Sequence, residues 1–148
     1  MSTTLLKIIP LDQSFVPDTI NQSKAKMFLT RFYKAEQIEI SISDTIEFVD
    51  QGANFESVSC NLCGSRIDIE YWQTLMDNAF EEEFTNLTII APCCSQKTTL
   101  QDLTYILPAG FAKFIIIVSN PQIEITDLNL NELKSILGTS LRVIWAHY

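Results

Sequence analysis

The sequence predicts an α+β fold: a ferredoxin-like sheet made of two split βαβ units, with a zinc-ribbon-like β-meander and a helix inserted between them. Two observations support this fold. Both ends of the 148-residue chain show the order strand, proline-marked loop, amphipathic helix, strand, and two such units can form a four-stranded sheet with helices on one face. Between them lie four cysteines in two close pairs, Cys60-x-x-Cys63 and Cys93-Cys94. The length fits a single domain, residues 1–148.

The first βαβ unit is predicted from three segments. Thr4 to Leu11 has the apolar character of a strand that stops near Pro10. Pro17 and Asp18 suit the first turn of a helix that runs to Tyr33. Isoleucines at 38, 40 and 42 alternate with polar residues, which is typical of a half-buried strand. The apolar side chains expected mostly on one face of the helix are Ile20, Met27, Phe28, Leu29 and Phe32.

The predicted insertion covers residues 45–98. Ser43-Asp44 is a turn signal. Ile46 and Phe48 would continue the alternation in a second strand, and Phe55 to Ser59 would form a third, so that a β-meander leads into the first cysteine pair. Asp68 is a plausible N-cap for a helix. The apolar residues recurring at helical spacing there are Ile69, Trp72, Leu75, Met76, Ala79 and Phe80.

The remaining segments complete the second unit. Leu87 to Ala91 is predicted as a short buried strand and Thr98 to Ile106 as a short helix. Ala112 to Val118 is continuously apolar, as in a central strand covered on both faces. A helix is expected over Asn129 to Leu137, where Gly138 suits its C-terminus, and Leu141 to Ala146 is the final strand.

Charge and hydropathy exclude several classes of function. Eighteen acidic residues against ten basic ones give a net charge of -8, which disfavours binding to nucleic acid and to anionic membrane surfaces. Four basic residues do cluster on the first predicted helix, and we interpret them as a solvated face: Lys24, Lys26, Arg31 and Lys34. The N-terminus shows no signal-peptide pattern. A cytoplasmic protein is therefore expected, and reduced thiols there favour metal binding over disulfides.

The cysteines predict one structural zinc ion bound by Cys60, Cys63, Cys93 and Cys94. Two residues between thiolates allow both to reach a tetrahedral ion, and Gly64 can take the positive φ that turns backbone N–H groups toward sulfur. The adjacent Cys93 and Cys94 can share an ion only if the chain turns sharply there. Three alternatives stay open: three thiols with another ligand or water, reduced cysteines without metal, and a disulfide.

The middle of the chain resembles a group of uncharacterised bacterial proteins in which a Cys-Pro-x-Cys-Gly knuckle is paired with Pro-Cys-Cys-Gly. Here Asn61 and Ser95 replace the usual proline and glycine. The resemblance covers under half the chain and implies a metal site and a bacterial cytoplasmic origin, without an activity. The segments that carry it are Asp50-Gln51-Gly52-Ala53-Asn54-Phe55-Glu56, Cys60-Asn61-Leu62-Cys63-Gly64, Pro92-Cys93-Cys94 and Pro108-Ala109-Gly110-Phe111-Ala112.

Our first functional hypothesis is a zinc-stabilised interaction or adaptor protein with a protein partner and no catalytic activity. No phosphate loop, dinucleotide fingerprint, serine elbow or His-Glu-x-x-His motif is present, so no catalytic or cofactor-binding residue is assigned. The alternative is a metal-dependent hydrolase or thiol enzyme that uses Cys93 or Cys94. Asp50, Glu56 or His147, the single histidine, would then lie near the cysteines.

Overall fold

The computed structural model describes residues 2–148, and this part of the chain has the predicted α+β class, with three α-helices and antiparallel sheets. None of the helices in it has the length and apolarity needed to cross a membrane. The helices are α1 (Thr19–Leu29), α2 (Ile69–Phe80) and α3 (Asp127–Leu137). The strands are β1 (Thr4–Pro10), β2 (Ile38–Val49), β3 (Ser57–Ser59), β4 (Thr88–Ile90), β5 (Lys97–Thr99), β6 (Thr104–Ile106), β7 (Gly110–Ser119) and β8 (Leu141–His147).

The main sheet has four strands in the order β2-β7-β1-β8, and every neighbouring pair is antiparallel. β1 and β2, joined through α1, are separated by β7. β7 and β8, joined through α3, are separated by β1. Each βαβ unit is therefore split by a strand of the other, and two small two-stranded sheets, β3-β6 and β4-β5, lie in the segment between β2 and β7.

The first core lies between the main sheet and helices α1 and α3. Alternate residues of β1 and β7 point into it because successive side chains of a strand face opposite sides. On the other face a smaller cluster contains Ile9, Val49, Ala112, Ile115 and Ile144. The first core is made of Leu6, Ile8, Ala25, Phe28, Leu29, Tyr33, Ile38, Phe114, Ile116, Val118, Leu133, Leu137 and Leu141. β7 is thus covered on both faces, as its continuous apolar run predicts.

Helix α1 begins where predicted, ends at Leu29 rather than near Tyr33, and buries only part of the predicted face. The Asp18 side chain caps it by accepting a hydrogen bond of 2.7 Å from the Asn21 amide. Ala25, Phe28 and Leu29 are buried, whereas Ile20 and Met27 are 68% and 71% exposed, so their predicted burial is wrong. At 3.6 residues per turn, Met27 lies about 200° around the helix axis from Ala25 and so faces away from the sheet.

The predicted hairpin at Ser43-Asp44 is also wrong. β2 is one strand that pairs with β7 on both sides of an irregularity, with Ile42 opposite Phe114 and Glu47 opposite Ala112. Because β7 offers a continuous ladder of backbone groups, the turn-forming residues bulge out of β2 while pairing resumes beyond them. The predicted β-meander is therefore not formed in this segment, and β3 pairs with β6 instead.

The predicted helix over Thr98 to Ile106 is replaced by two short strands joined by a turn. β5 pairs with β4, and β6 pairs with β3. In the turn the Asp102 carboxylate accepts a hydrogen bond of 2.9 Å from the Thr99 hydroxyl, and the Asp102 amide donates to the same hydroxyl at 3.1 Å. Long-range pairing of Thr and Tyr residues, which favour strands, outweighs the local pattern.

A second core packs α2 against the small sheets. Phe111 of β7 joins it to the main sheet, with ring centroids 5.2 Å from Phe48 and 5.1 Å from Phe84. The predicted boundaries of the insertion, residues 45 and 98, lie within β2 and β5. The buried members of this core are Ile46, Val58, Cys60, Ile67, Trp72, Met76, Ala79, Phe84, Leu87, Ile89, Ala91, Leu100, Leu103, Tyr105, Ala109 and Phe111.

A polar cluster anchors the end of the chain. The Lys7 ammonium, on a side chain that is 10% exposed, donates to the Tyr148 hydroxyl at 2.8 Å and to the Asp50 carbonyl at 3.0 Å, and lies 3.3 Å from Asp50 Oδ1. The Tyr148 hydroxyl donates to the Asp50 carboxylate at 2.9 Å. Burial raises the pKa of Asp50, but the bond from Tyr148 and the charge of Lys7 together bring it below its ordinary value.

We predict that Asp50→Asn removes a stabilisation that depends on pH. A carboxyl group whose pKa is lower in the folded state stabilises the fold above its unfolded pKa of about 3.9 and loses that contribution as the pH falls through the folded value. Urea unfolding should show the variant less stable at pH 7, with the difference shrinking below about pH 4. Glu39→Gln, at an exposed position of β2, is the control, and a difference independent of pH would contradict the assignment.

Gly52 and Gly138 provide a matched pair of substitutions. Both have positive φ, 58° and 74°, so alanine brings strain of about 1–2 kcal/mol at either position. A Cβ on Gly138 would meet no atom within 4 Å, whereas one on Gly52 would collide with the His147 carbonyl oxygen. Gly52→Ala should therefore lower the free energy of unfolding by more than Gly138→Ala. Equal losses in urea titrations would show that the backbone relaxes freely at Gly52.

Candidate metal centre

The fold brings all four cysteines together. Their Sγ atoms lie within 4.8 Å of one another, with Cys60 and Cys94 separated by 3.9 Å and Cys63 and Cys93 by 3.2 Å. A tetrahedral ion with metal–sulfur bonds of about 2.3 Å would place its sulfurs about 3.8 Å apart. All four thiols are free. The cluster therefore has the dimensions of a site that could hold one metal ion.

The first pair lies in a tight loop after β3. Ser59 and Arg66 form an antiparallel bridge at its base. Inside the loop the Cys60 amide donates to the Ser65 carbonyl at 2.9 Å, and the Gly64 amide donates to the Cys60 carbonyl at 3.0 Å. Gly64 has the predicted positive φ, 79°, and the Leu62 amide donates to Cys60 Sγ at 3.4 Å. A backbone donor therefore points at sulfur, as predicted from the positive φ of Gly64.

The second pair lies in the loop between β4 and β5, and the chain makes the sharp turn that two adjacent ligands require. The Ala91 amide donates to the Gln96 carbonyl and the Ser95 amide to the Ala91 carbonyl, both at 2.9 Å. Ser95 has a φ of 59°, so a serine takes the left-handed conformation that Gly64 has in the first loop. Both loops therefore close with the same pair of backbone hydrogen bonds.

This shared pattern aligns the two loops residue by residue. Gly64 corresponds to Ser95, Cys63 to Cys94, and Cys60 to the buried Ala91. Cys93 then corresponds to Leu62, at a position that is not a ligand in the first loop. The sequence contains this signal, because Ala91-Pro92-Cys93-Cys94-Ser95 has the length of a knuckle with alanine in first place. Sequence analysis missed it.

The four cysteines differ in exposure. Cys60 is 1% exposed and belongs to the second core, and the half-buried Cys94 packs against that core. Cys63 and Cys93 are exposed. The cluster thus lies at the rim of the second core, with one cysteine of each pair on the inner side and one facing solvent.

Hydrogen-bond donors lower the thiol pKa values in the first loop. Hydrogen bonds from the Cys63 and Leu62 amides lower the pKa of Cys60. Hydrogen bonds from the hydroxyl and the amide of Ser65 lower the pKa of Cys63 to about 6. A lowered thiol pKa means that the thiolate, which is the form that binds metals, is stabilised there.

The thiols of the second loop are shifted the other way. The Gln96 amide lowers the pKa of Cys94, but burial and the neighbouring Cys60 and Cys63 raise it more. The hydrogen bond with Cys63, together with burial, raises the pKa of Cys93 to about 12. The pairs are therefore complementary: thiolates are favoured at Cys60 and Cys63, and protons are retained at Cys93 and Cys94.

Other residues considered as catalytic candidates lie outside this cluster. Asp50 is bound to Lys7 and Tyr148. His147 lies in β8 with Nδ1 3.3 Å from the Thr4 hydroxyl, and Glu56 lines a separate cavity of about 540 Å³. The arrangement at the cysteines therefore offers soft sulfur donors alone, which suit zinc and similar ions.

The basic residues of α1 and of the segment that follows it are exposed to solvent. Lys24 and Lys26 are exposed on α1, and the Arg31 guanidinium lies 5.6 Å from the centroid of the Phe28 ring. This matches their interpretation as a solvated face.

Comparisons of the chain with family models, with curated proteins and with solved structures find no match.

We predict that the chain binds one zinc ion and that affinity depends on the inner cysteines. Loss of even an indirect partner of a metal ligand lowers affinity about 10–100-fold, so Cys60→Ser and Cys94→Ser should weaken zinc by at least that much. Competition titration with a chromophoric chelator measures this. Ser57→Ala on β3 is the control, and unchanged affinity in Cys60→Ser would contradict the site.

Proposed function

We propose that this chain is a zinc-stabilised cytoplasmic interaction module, an adaptor without catalytic activity, in which one structural zinc ion is held by Cys60, Cys63, Cys93 and Cys94. The observation that carries the proposal is the convergence of four sulfurs within 4.8 Å. A closed four-thiolate site has no position for a substrate and stabilises the fold around it. Free thiols at all four positions are in keeping with a reducing compartment.

The short strands of the second core explain why a metal ion would add to its stability. Its strands β3, β4, β5 and β6 have three residues each, and isolated two-stranded sheets are marginally stable in water. A zinc ion shared between the two loops would fix β3 relative to the β4-β5 hairpin. Its binding free energy would then add to the stability of this core.

Two structural features support a ferredoxin-like sheet with a zinc-ribbon-like insertion. The order β2-β7-β1-β8, antiparallel throughout, supports a ferredoxin-like frame. Two loops that close with the same hydrogen bonds and face each other across the sulfurs support a zinc-ribbon-like insertion. The resemblance to bacterial proteins that carry similar cysteine motifs is in keeping with this proposal.

A groove between β2 and α2 supports the proposal that the chain binds a protein partner. Its volume is about 470 Å³, and its apolar wall includes Phe48, Met76 and Phe80, which is 67% exposed. Glu47 and Asp77 also line it. An exposed aromatic ring beside two carboxylates fits a segment that presents apolar and basic side chains. The net charge of -8 favours the same kind of partner.

The proposed partner chemistry can be tested with a phage-displayed peptide library selected on the zinc-loaded protein. We expect enriched peptides to combine apolar residues with Lys or Arg. Binding should weaken at least about tenfold in Phe80→Ser, because exposed aromatic anchors carry much of an interface's free energy, and also in Glu47→Lys. Ile20→Ser, at an exposed position of α1, is the matched control.

Two results would count against the proposal. Enrichment of acidic peptides, or binding unaffected by Phe80→Ser and Glu47→Lys, would place the partner surface elsewhere. Hydrolysis of p-nitrophenyl acetate that disappears with a chelator and returns with zinc would favour the alternative of a metal-dependent hydrolase.

A further inference from the structure

We propose that Cys93 is the exchangeable ligand of the metal centre and a modification site for small alkylating electrophiles, while Cys60, Cys63 and Cys94 hold the ion. This inference rests on the proposed zinc site and goes beyond it, because it assigns different roles to cysteines that a purely structural site would treat alike. Three features of the structure carry it: loop register, backbone donors and an adjoining cavity.

The first feature is the register of the two loops. The backbone bonds that close the first loop, Gly64 to Cys60 and Cys60 to Ser65, recur in the second as Ser95 to Ala91 and Ala91 to Gln96. Cys94 therefore occupies a knuckle position, and the other knuckle position belongs to Ala91. Cys93 reaches the cluster from between them, so the loop is not built around its sulfur.

The second feature is the distribution of hydrogen-bond donors. In the first loop the Leu62 amide donates to Cys60 Sγ at 3.4 Å. The hydrogen-bond partners of Cys93 are the other cysteine thiols. Hydrogen-bond donors around a metal site orient its ligands, and a donor on sulfur also reduces its nucleophilicity. Cys93 would therefore be a poorly oriented and nucleophilic thiolate.

The third feature is access. Cys93 is exposed and lines a cavity of about 290 Å³ together with Arg66, Asp68, Tyr71 and Pro92. Each water occupies about 30 Å³ of liquid, so a reagent of several heavy atoms can enter. Cys60 is buried and Cys94 half-buried, and the exposed Cys63 occupies a knuckle position of the first loop. Cys93 Sγ is therefore the sulfur that is both accessible to reagents and outside the knuckle positions of the loops.

The modification is a simple substitution. A thiol bound to zinc has lost its proton. With iodoacetamide, a lone pair of Cys93 Sγ attacks the methylene carbon, an S–C bond forms, the C–I bond breaks and iodide leaves with its electron pair. The product is a neutral thioether, a much weaker ligand than a thiolate, so Cys93 would no longer hold the ion and the three thiolates of Cys60, Cys63 and Cys94 would retain it.

The test uses the full chain loaded with zinc, with metal content measured before the reaction. A time course with iodoacetamide, followed by fragment mass spectrometry that separates Cys93 from Cys94, should show Cys93 alkylated at least about tenfold faster than the other three cysteines. Zinc should remain bound after this first alkylation, as measured by elemental analysis of the desalted protein.

Two variants sharpen the test. Ala91→Cys combined with Cys93→Ala moves the fourth thiol into the knuckle position, and this protein should bind zinc and resist alkylation. Cys93→Ala alone leaves Ala91 untouched and should retain zinc with weakened affinity, whereas Cys60→Ala should lose it. The second variant decides the question even if a cysteine at the buried position 91 prevents folding.

Two outcomes would contradict the role of Cys93, and a third would contradict the zinc site itself. Alkylation of all four cysteines at one common rate, equal to the rate of zinc release, would show that no ligand exchanges separately. Faster reaction at Cys63 would move the reactive position to the first loop. In both cases the zinc-stabilised module stands. If the purified, zinc-incubated chain holds no zinc, the proposed function fails first.

Discussion

The strand β7 is the constraint on which both cores depend. It pairs with β1 and β2 and is buried on both faces, with Phe114 and Ile116 in the first core and Phe111 in the second. Its first residue is Gly110, where a Cβ would lie 2.7 Å from the Ile9 side chain and 2.9 Å from Gln101 Oε1. The buried Gln101 amide bonds the backbone N–H and carbonyl of Phe111 at 2.8 and 3.1 Å. A residue of the segment between β2 and β7 thus sets the start of the central strand, which couples the two cores through hydrogen bonds to its backbone.

The two cores are stabilised by different interactions. The first core has strands of seven to twelve residues and two amphipathic helices. The second has one helix, three-residue strands and an aromatic group in which Trp72 contacts Phe48, Phe55 and Tyr105. Short strands contribute few ladder bonds, so this core depends on aromatic packing and on whatever joins its two cysteine loops. A metal ion at the sulfurs would act beside the shortest strands of the fold.

Sequence patterns predicted the elements whose signals are local. Helix α2 begins after Asp68 and α3 ends before Gly138, whose φ is 74°, because caps act within one turn. The errors occurred where distant pairing decides. The turn at Ser43-Asp44 became a bulge because β7 pairs with both halves of β2, and residues 98–106 became strands because their partners are β4 and β3. The four cysteines were predicted as a group from spacing, but the correspondence of Ala91 with Cys60 depends on backbone hydrogen bonds that only the folded loops display.

The charge of the site connects its stability with its accessibility. A zinc ion held by four thiolates would carry a net charge of about -2, and burying such a charge without compensation is strongly unfavourable. The Leu62 amide donor would compensate part of this charge at Cys60, the buried cysteine. Cys63 and Cys93 are exposed, so water would solvate the charge at these two corners. Ala91, which corresponds to the buried Cys60, supplies no sulfur. The fourth thiolate would therefore come from the exposed Cys93, and the solvation that stabilises its charge would also leave it open to reagents.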